Sequence, residues 1–145
     1  LEYVIRQVDM AMDKIIRFIS SEEQKQLIEA LNSICQSIQW KTGKESVHLK
    51  KRQRMGHLSS SASLHDYEKI ISGLVTDNNN ILYLYEFRGS YYYAVRGFDG
   101  ETEWLVIFGP DGIMETAFPP ENMDEYLNKR GFLFMGKIKE VLKWT

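Results

Sequence analysis

The feature that most constrains this chain is a change of hydrophobic period near residue 80. Before it, apolar residues recur every three to four positions. After it come four short runs, "ILYLYEFRG", "SYYYAVRGFDG", "EWLVIFGPDG" and "IMETAFP", rich in aromatic and β-branched residues and each bounded by Gly, Asp, Asn or Pro. Runs of that length between turn residues are strands of an antiparallel meander. "RGS" and "GPDG" are tight hairpin turns. "EWLVIF" is apolar on both faces and is expected to be central, with a helix covering one side.

The first half reads as helices. Val4, Ile5, Val8, Met12, Ile15, Ile16 and Ile19 line one face of a helix over residues 2–20, and Leu27, Leu31, Ile34, Cys35 and Ile38 line a second. Ser20 and Glu23 are spaced as a capping box between them, so the two are expected to form an antiparallel hairpin. Val47 and Leu49 alternate with His48 and Lys50, which suits a short edge strand. "SSSAS" is a loop, and Ser63 with Asp66 can cap a helix over residues 64–75. Pro119 and Pro120 end the sheet, "ENMDEYLNKRG" is a short helix closed by Gly131, and the remainder is a short tail. The expected fold is α+β: an N-terminal helical hairpin (1–40), then a domain (41–145) with a helix packed on a four- to five-stranded antiparallel meander, the two forming one structural unit.

The chain has 145 residues and a net charge of −2, which argues against coating nucleic acid by bulk electrostatics. The distribution is uneven. Lys41, Lys44, Lys50, Lys51, Arg52 and Arg54 precede His57 with Glu45 as the sole acid among them. One Cys and three scattered His lack the paired spacing of a zinc site. Cys35 reads as a buried thiol. No apolar run approaches the roughly 20 residues of a membrane span. "LEYVIRQVDM" has no initiator Met and no signal-peptide order, and reads as the start of a piece cut from a longer polypeptide.

His57 is the leading candidate for chemistry. Imidazole can take and give a proton near neutral pH, and RNA cleavage without a metal needs both steps together with cations at the phosphate. The alternative is a surface or capping histidine. His48 is a second proton carrier, a phosphate contact, or an exposed strand residue. Lys50, Lys51, Arg52 and Arg54 either pair with phosphates or form a solvated run. Arg88 and Arg96 fall on neighbouring strands that antiparallel pairing could bring together, and Tyr91 to Tyr93 offer rings for base stacking. Thr116 can hold a phosphate oxygen.

"VHLKKRQRMGHL", "LHDYEKIISGLV" and "EWLVIFGPDGIMETAFP" together resemble the phage-associated branch of the barnase–EndoU–colicin–RelE-like nuclease superfamily, over about residues 47–119. The resemblance implies a small α+β ribonuclease that works without metal or cofactor. It puts His57 at the catalytic histidine position and Thr116 and Phe118 near the active site. It implies cleavage of tRNA or another structured RNA and a cytoplasmic site of action. It also implies delivery as part of a parent polypeptide, and restraint by a cognate inhibitor or immunity protein. The expected site is therefore His57, Thr116 and Arg96 for catalysis, with His48, Lys50, Lys51, Arg54, Arg88 and Phe118 on the substrate. The rival reading is a non-enzymatic binding module that docks another protein on its aromatic sheet. A third class, transfer of ADP-ribose, shares small basic α+β domains.

Overall fold

The computed structural model describes residues 20–144. The expected first helix, over residues 2–20, lies outside the described residues except for its last. Three helices come first: α1 (Ser21–Gln36), α2 (Lys44–Arg54) and α3 (Leu64–Val75). Strands β1 (Ile81–Phe87), β2 (Ser90–Phe98), β3 (Glu103–Phe108) and β4 (Met114–Phe118) follow, then α4 (Met123–Arg130), β5 (Leu133–Lys137), α5 (Ile138–Val141) and a 3-10 turn (Leu142–Trp144). The five strands form one antiparallel sheet in the order β4-β3-β2-β1-β5. The α+β class read from the sequence is the class observed.

Period two sends alternate side chains to opposite faces. Leu82, Leu84, Tyr93, Val95, Trp104, Val106 and Phe108 face α1 and α3, which bring Leu27, Leu31, Ile34, Tyr67, Ile71 and Leu74 into the larger core. Tyr83, Ala94, Leu105 and Ile107 face the other way, against Met123 and Leu127 of α4 and Phe132. β3 is therefore buried on both sides, as its continuous apolar run requires.

The local signals place most element ends. Ser20 accepts from Glu23 N at 3.2 Å, and Ser63 and Asp66 close a reciprocal capping box at 3.1 and 2.8 Å. Arg88 and Gly89 both have positive φ, 52° and 79°, in a two-residue hairpin turn whose twist matches the strands it joins. Gly131 ends α4 in the left-handed region at φ 73°.

Three expectations are corrected. Residues 47–50 are helical, within α2, not an edge strand. Four alternating residues are too few to separate the two periods, and the inward positions Glu45, His48, Leu49, Arg52 and Gln53 follow helical spacing while Val47 is 55% exposed. Lys, Glu, Gln and Arg are also good helix formers. The tail is ordered: once Gly131 reverses the chain, β5 pairs with β1 and Met135, Ile138 and Val141 complete the larger core. Cys35 is half-buried, its Sγ donating to Val75 O at 3.3 Å. No helix among the described residues is long and apolar enough to cross a membrane.

Candidate active site

β4 is an edge strand, and an edge leaves backbone N–H and C=O groups without strand partners. Here they are capped from the helical side. Met114 N donates to Gln39 O at 2.8 Å. The Tyr67 hydroxyl, from the first turns of α3, donates to Ala117 O at 2.5 Å and accepts from Ala117 N at 3.3 Å. Tyr67 is fully buried, and that burial pushes its pKa up to about 12 against the opposing effects of Ala117, Arg52 and Thr116. Trp40 bridges to Met114, and its Nε1 donates to Glu68 at 3.3 Å. These anchors bring α2 against β4.

The face of α2 that meets β4 carries His48 and Arg52, one turn apart. His48 Nδ1 lies 3.3 Å from Thr116 Oγ1, and its ring stacks on Trp40 with centroids 5.7 Å apart. Arg52 is 3% exposed; its guanidinium lies 5.4 Å from the centre of the Phe118 ring, and Nη1 is 3.1 Å from His57 Nδ1. His57 reaches this position because α2 stops at Met55 and Gly56 turns in the left-handed region at φ 78°. That turn folds His57 N back onto Arg52 O at 2.9 Å. Gln53 ties the serine loop to the same helix end by donating to Ala62 O at 2.8 Å.

The electrostatics are unusual. Among the described residues Arg52 forms no ion pair, and its Nε is buried without a hydrogen-bond partner. A covered guanidinium without a carboxylate is costly, and native chains seldom keep one idle. A guanidinium can only donate, so the contact to His57 Nδ1 fixes that ring as the neutral tautomer protonated on Nε2. Both imidazoles are held below the ordinary range. For His48 the causes are burial, then Arg52, Lys51 and Lys44, with Glu115 opposing; for His57 they are burial, then Arg52, with Glu121 opposing. Among the described residues no group of three His, Cys, Asp or Glu side chains could hold a metal ion.

In comparisons with known proteins, no family model, no curated protein and no solved structure matches the chain.

The structure thus gathers His48, His57, Thr116 and Phe118 around one residue, Arg52. Lys50, Lys51 and Arg54 lie on the exposed side of α2, with Lys51 near enough to His48 to depress its pKa. Arg96 is not part of this group. It donates to Glu103 at 3.0 and 3.1 Å, to Asp124 at 2.9 Å and to Tyr83 at 3.5 Å, on the face covered by α4. Nor do Arg88 and Arg96 meet: Arg96 pairs with Ile81 at one end of the β1–β2 ladder, and Arg88 sits in the turn at the other. The Arg88 guanidinium lies over Phe87 instead, at 5.1 Å.

Sequence reasoning missed Arg52, Tyr67 and Trp40 as individuals. Arg52 follows His48 by four residues, a signal that exists only once the stretch is read as helix. Tyr67 precedes Ile71 by four and Leu74 by seven, on the stripe that marks the buried face of α3.

Proposed function

We propose that this chain is a metal-independent endoribonuclease of the barnase–EndoU–colicin–RelE-like type, with His48, Arg52, His57 and Thr116 as its active site. The observation that carries the reading is the covered guanidinium of Arg52 between two imidazoles, a cation with no counter-ion among the described residues beside two proton carriers. A phosphodiester supplies the missing negative charge.

The chemistry follows from the groups present. His48, largely unprotonated at neutral pH and engaged by Thr116 through Nδ1, takes the proton of a ribose 2′-hydroxyl at Nε2. The 2′-oxygen then bonds to phosphorus as the bond from phosphorus to the 5′-oxygen breaks. Arg52 stabilises the added charge on the phosphorane-like transition state. Its N–H groups turn from His57 to the phosphate, whose charge also offsets the field that depresses His57. His57 is then free to carry a second proton and deliver it to the leaving 5′-oxygen. The products are a 2′,3′-cyclic phosphate and a 5′-hydroxyl end. Lys44, Lys50, Lys51 and Arg54 form the basic rim over which the RNA backbone approaches, so a net negative chain binds RNA locally.

The test is cleavage of tRNA and of unstructured RNA by the purified chain in excess EDTA, with the termini identified. Substitution of His48 or His57 by Ala is expected to lower the rate by about 10²–10⁴-fold with the fold intact by circular dichroism. Undiminished cleavage by the double variant removes the mechanism. Growth arrest on expression in bacteria, relieved by the same substitutions, supports a toxin held by an inhibitor. The binding-module reading has less to work with than the sequence suggested. Tyr83 and Tyr93 are buried and Tyr92 packs with the smaller core, which leaves Phe87, Leu133 and Phe134 as the exposed apolar groups near the β1–β5 edge.

A further inference from the structure

A cavity of about 430 Å³ opens beside the active site, walled by Met55, Phe118, Pro119 and Tyr126 and sharing His57 with the catalytic cluster. We infer that it is a subsite for one nucleobase of the RNA, and that it selects bases carrying an exocyclic amino group over uracil. The inference rests on the nuclease reading for the position of the phosphate, and on the cavity itself for the base.

The volume is within the ~300–1,000 Å³ of small-ligand pockets. Phe118 and Tyr126 meet edge to face, 5.1 Å between centroids, and give the cavity an apolar corner of two nearly perpendicular rings, either of which a base can pack against. Phe118 also lies under the Arg52 guanidinium, so a phosphate held by Arg52 has its nucleoside within reach of the cavity. The polar rim sets the selection. Glu121 and Glu125 put two carboxylates on it, and its one cation, Lys129, is taken by Glu125 at 2.6 Å. The rim therefore repels phosphate and favours a neutral group rich in N–H donors. Glu121 makes no hydrogen bond or ion pair among the described residues, which leaves both of its oxygens free to accept. Asn122 spends its carbonyl on Glu125 N at 3.1 Å, which leaves its amide N–H groups free to donate. Adenine, guanine and cytosine each place an amino donor beside a ring or carbonyl acceptor. Uracil flanks its single N–H with two carbonyl oxygens, which face the carboxylate unfavourably.

The experiment titrates the four nucleoside 3′-monophosphates into the isotope-labelled chain, followed by the NMR signals of His57 and the Asn122 side-chain amide. In parallel, the cut ends of a mixed-sequence RNA are mapped. Adenine, guanine and cytosine nucleotides are expected to bind at least roughly tenfold tighter than uridine 3′-monophosphate, and the cut sites to show the same bias. Glu121→Gln, at an exposed position with no hydrogen bond or ion pair among the described residues to lose, should remove most of that preference; because Glu121 also raises the His57 pKa, the readout is the ratio between nucleotides and not the rate. Equal affinity for all four, or a preference that Glu121→Gln leaves intact, overturns the subsite. Cleavage without base preference overturns the subsite and leaves the nuclease standing. Selective binding that responds to Glu121→Gln, without any cleavage, upholds the subsite and overturns the nuclease.

Discussion

Arg52→Met separates what the guanidinium does for the fold from what it does for the site. Met has similar length and no charge. The substitution gives up one hydrogen bond to His57, worth about 1 kcal/mol net, a long and weak one from Nη2 to Met55 Sδ at 4.0 Å, and one cation–π contact with Phe118 at 5.4 Å, worth about 1 kcal/mol. It also removes a covered charge that has no carboxylate partner among the described residues, a cost of several kcal/mol in a deep interior. The guanidinium is covered but sits near the surface, so the low end of that cost applies. The balance is a variant about 1–2 kcal/mol more stable than the parent in urea denaturation, with RNA cleavage lost. Two further readouts distinguish a binding cation from a structural one. Inorganic phosphate at ten times its Kd should stabilise the parent by about 1.4 kcal/mol and the variant not at all. Removal of the charge should also raise the pKa of both His48 and His57, each of which Arg52 depresses, as read by NMR titration of the two rings. A variant destabilised by more than about 1 kcal/mol and phosphate stabilisation equal to the parent's would refute the reasoning.

Tyr67→Phe keeps the buried ring but strips both Ala117 backbone groups of their partner, and is expected to cost about 1–3 kcal/mol in chemical denaturation. Stability should fall with acidification from about pH 6.5. His48 and His57 are depressed below 6.5 in the fold, so the unfolded chain binds more protons below that pH, and the contribution present above it is lost as pH drops through the folded values. The doubly substituted His48→Gln, His57→Gln chain should lose most of that slope in urea midpoints measured between pH 7 and 5. Arg96→Ala breaks exposed ion pairs with Glu103 and Asp124; a loss of roughly 1 kcal/mol and near-parental RNA cleavage are expected, and a large drop in rate without loss of fold would return Arg96 to the active site. Thr116→Val removes the oxygen 3.3 Å from His48 Nδ1 and should lower the cleavage rate and shift its acidic limb, whereas a role confined to packing would leave the pH profile unmoved.

The fold was legible because its signals are local and agree with one another. Turn residues bound each strand, capping residues open α1 and α3, and Gly131 closes α4. The site was half legible. His57, Thr116 and Phe118, picked from a basic segment, a histidine and a last hairpin, fall within the candidate cluster around Arg52. Arg52 did not stand out from Lys50, Lys51 and Arg54, because side-chain type is the same along the run and only helical phase separates the inward residue from the outward ones. Arg96 was misplaced for a related reason. Composition shows a cation on a strand, but its partner Asp124 comes from a helix on the opposite face to α1 and α3, and no short-range pattern joins them.

Edge protection and site construction are the same arrangement in this chain. An unpaired β4 edge invites pairing with another strand, and it is closed here by Tyr67, by the segment at Trp40 and by α2. Closing it with a helix rather than a sixth strand puts side chains, not backbone, along that edge, and the ones at helical spacing are His48 and Arg52. The Gly56 turn then adds His57 from the chain that leaves the helix. A substitution that loosens α2 from β4 therefore has two consequences at once. Trp40→Ala, which removes the ring stacked on His48 and tilted against Tyr67, should expose the β4 edge and scatter the imidazoles. Concentration-dependent association in light scattering is expected to appear in parallel with the loss of cleavage. If cleavage is lost while the chain remains monomeric and its Tyr67–Ala117 contact persists by NMR, the two roles are separable and Trp40 acts on His48 alone.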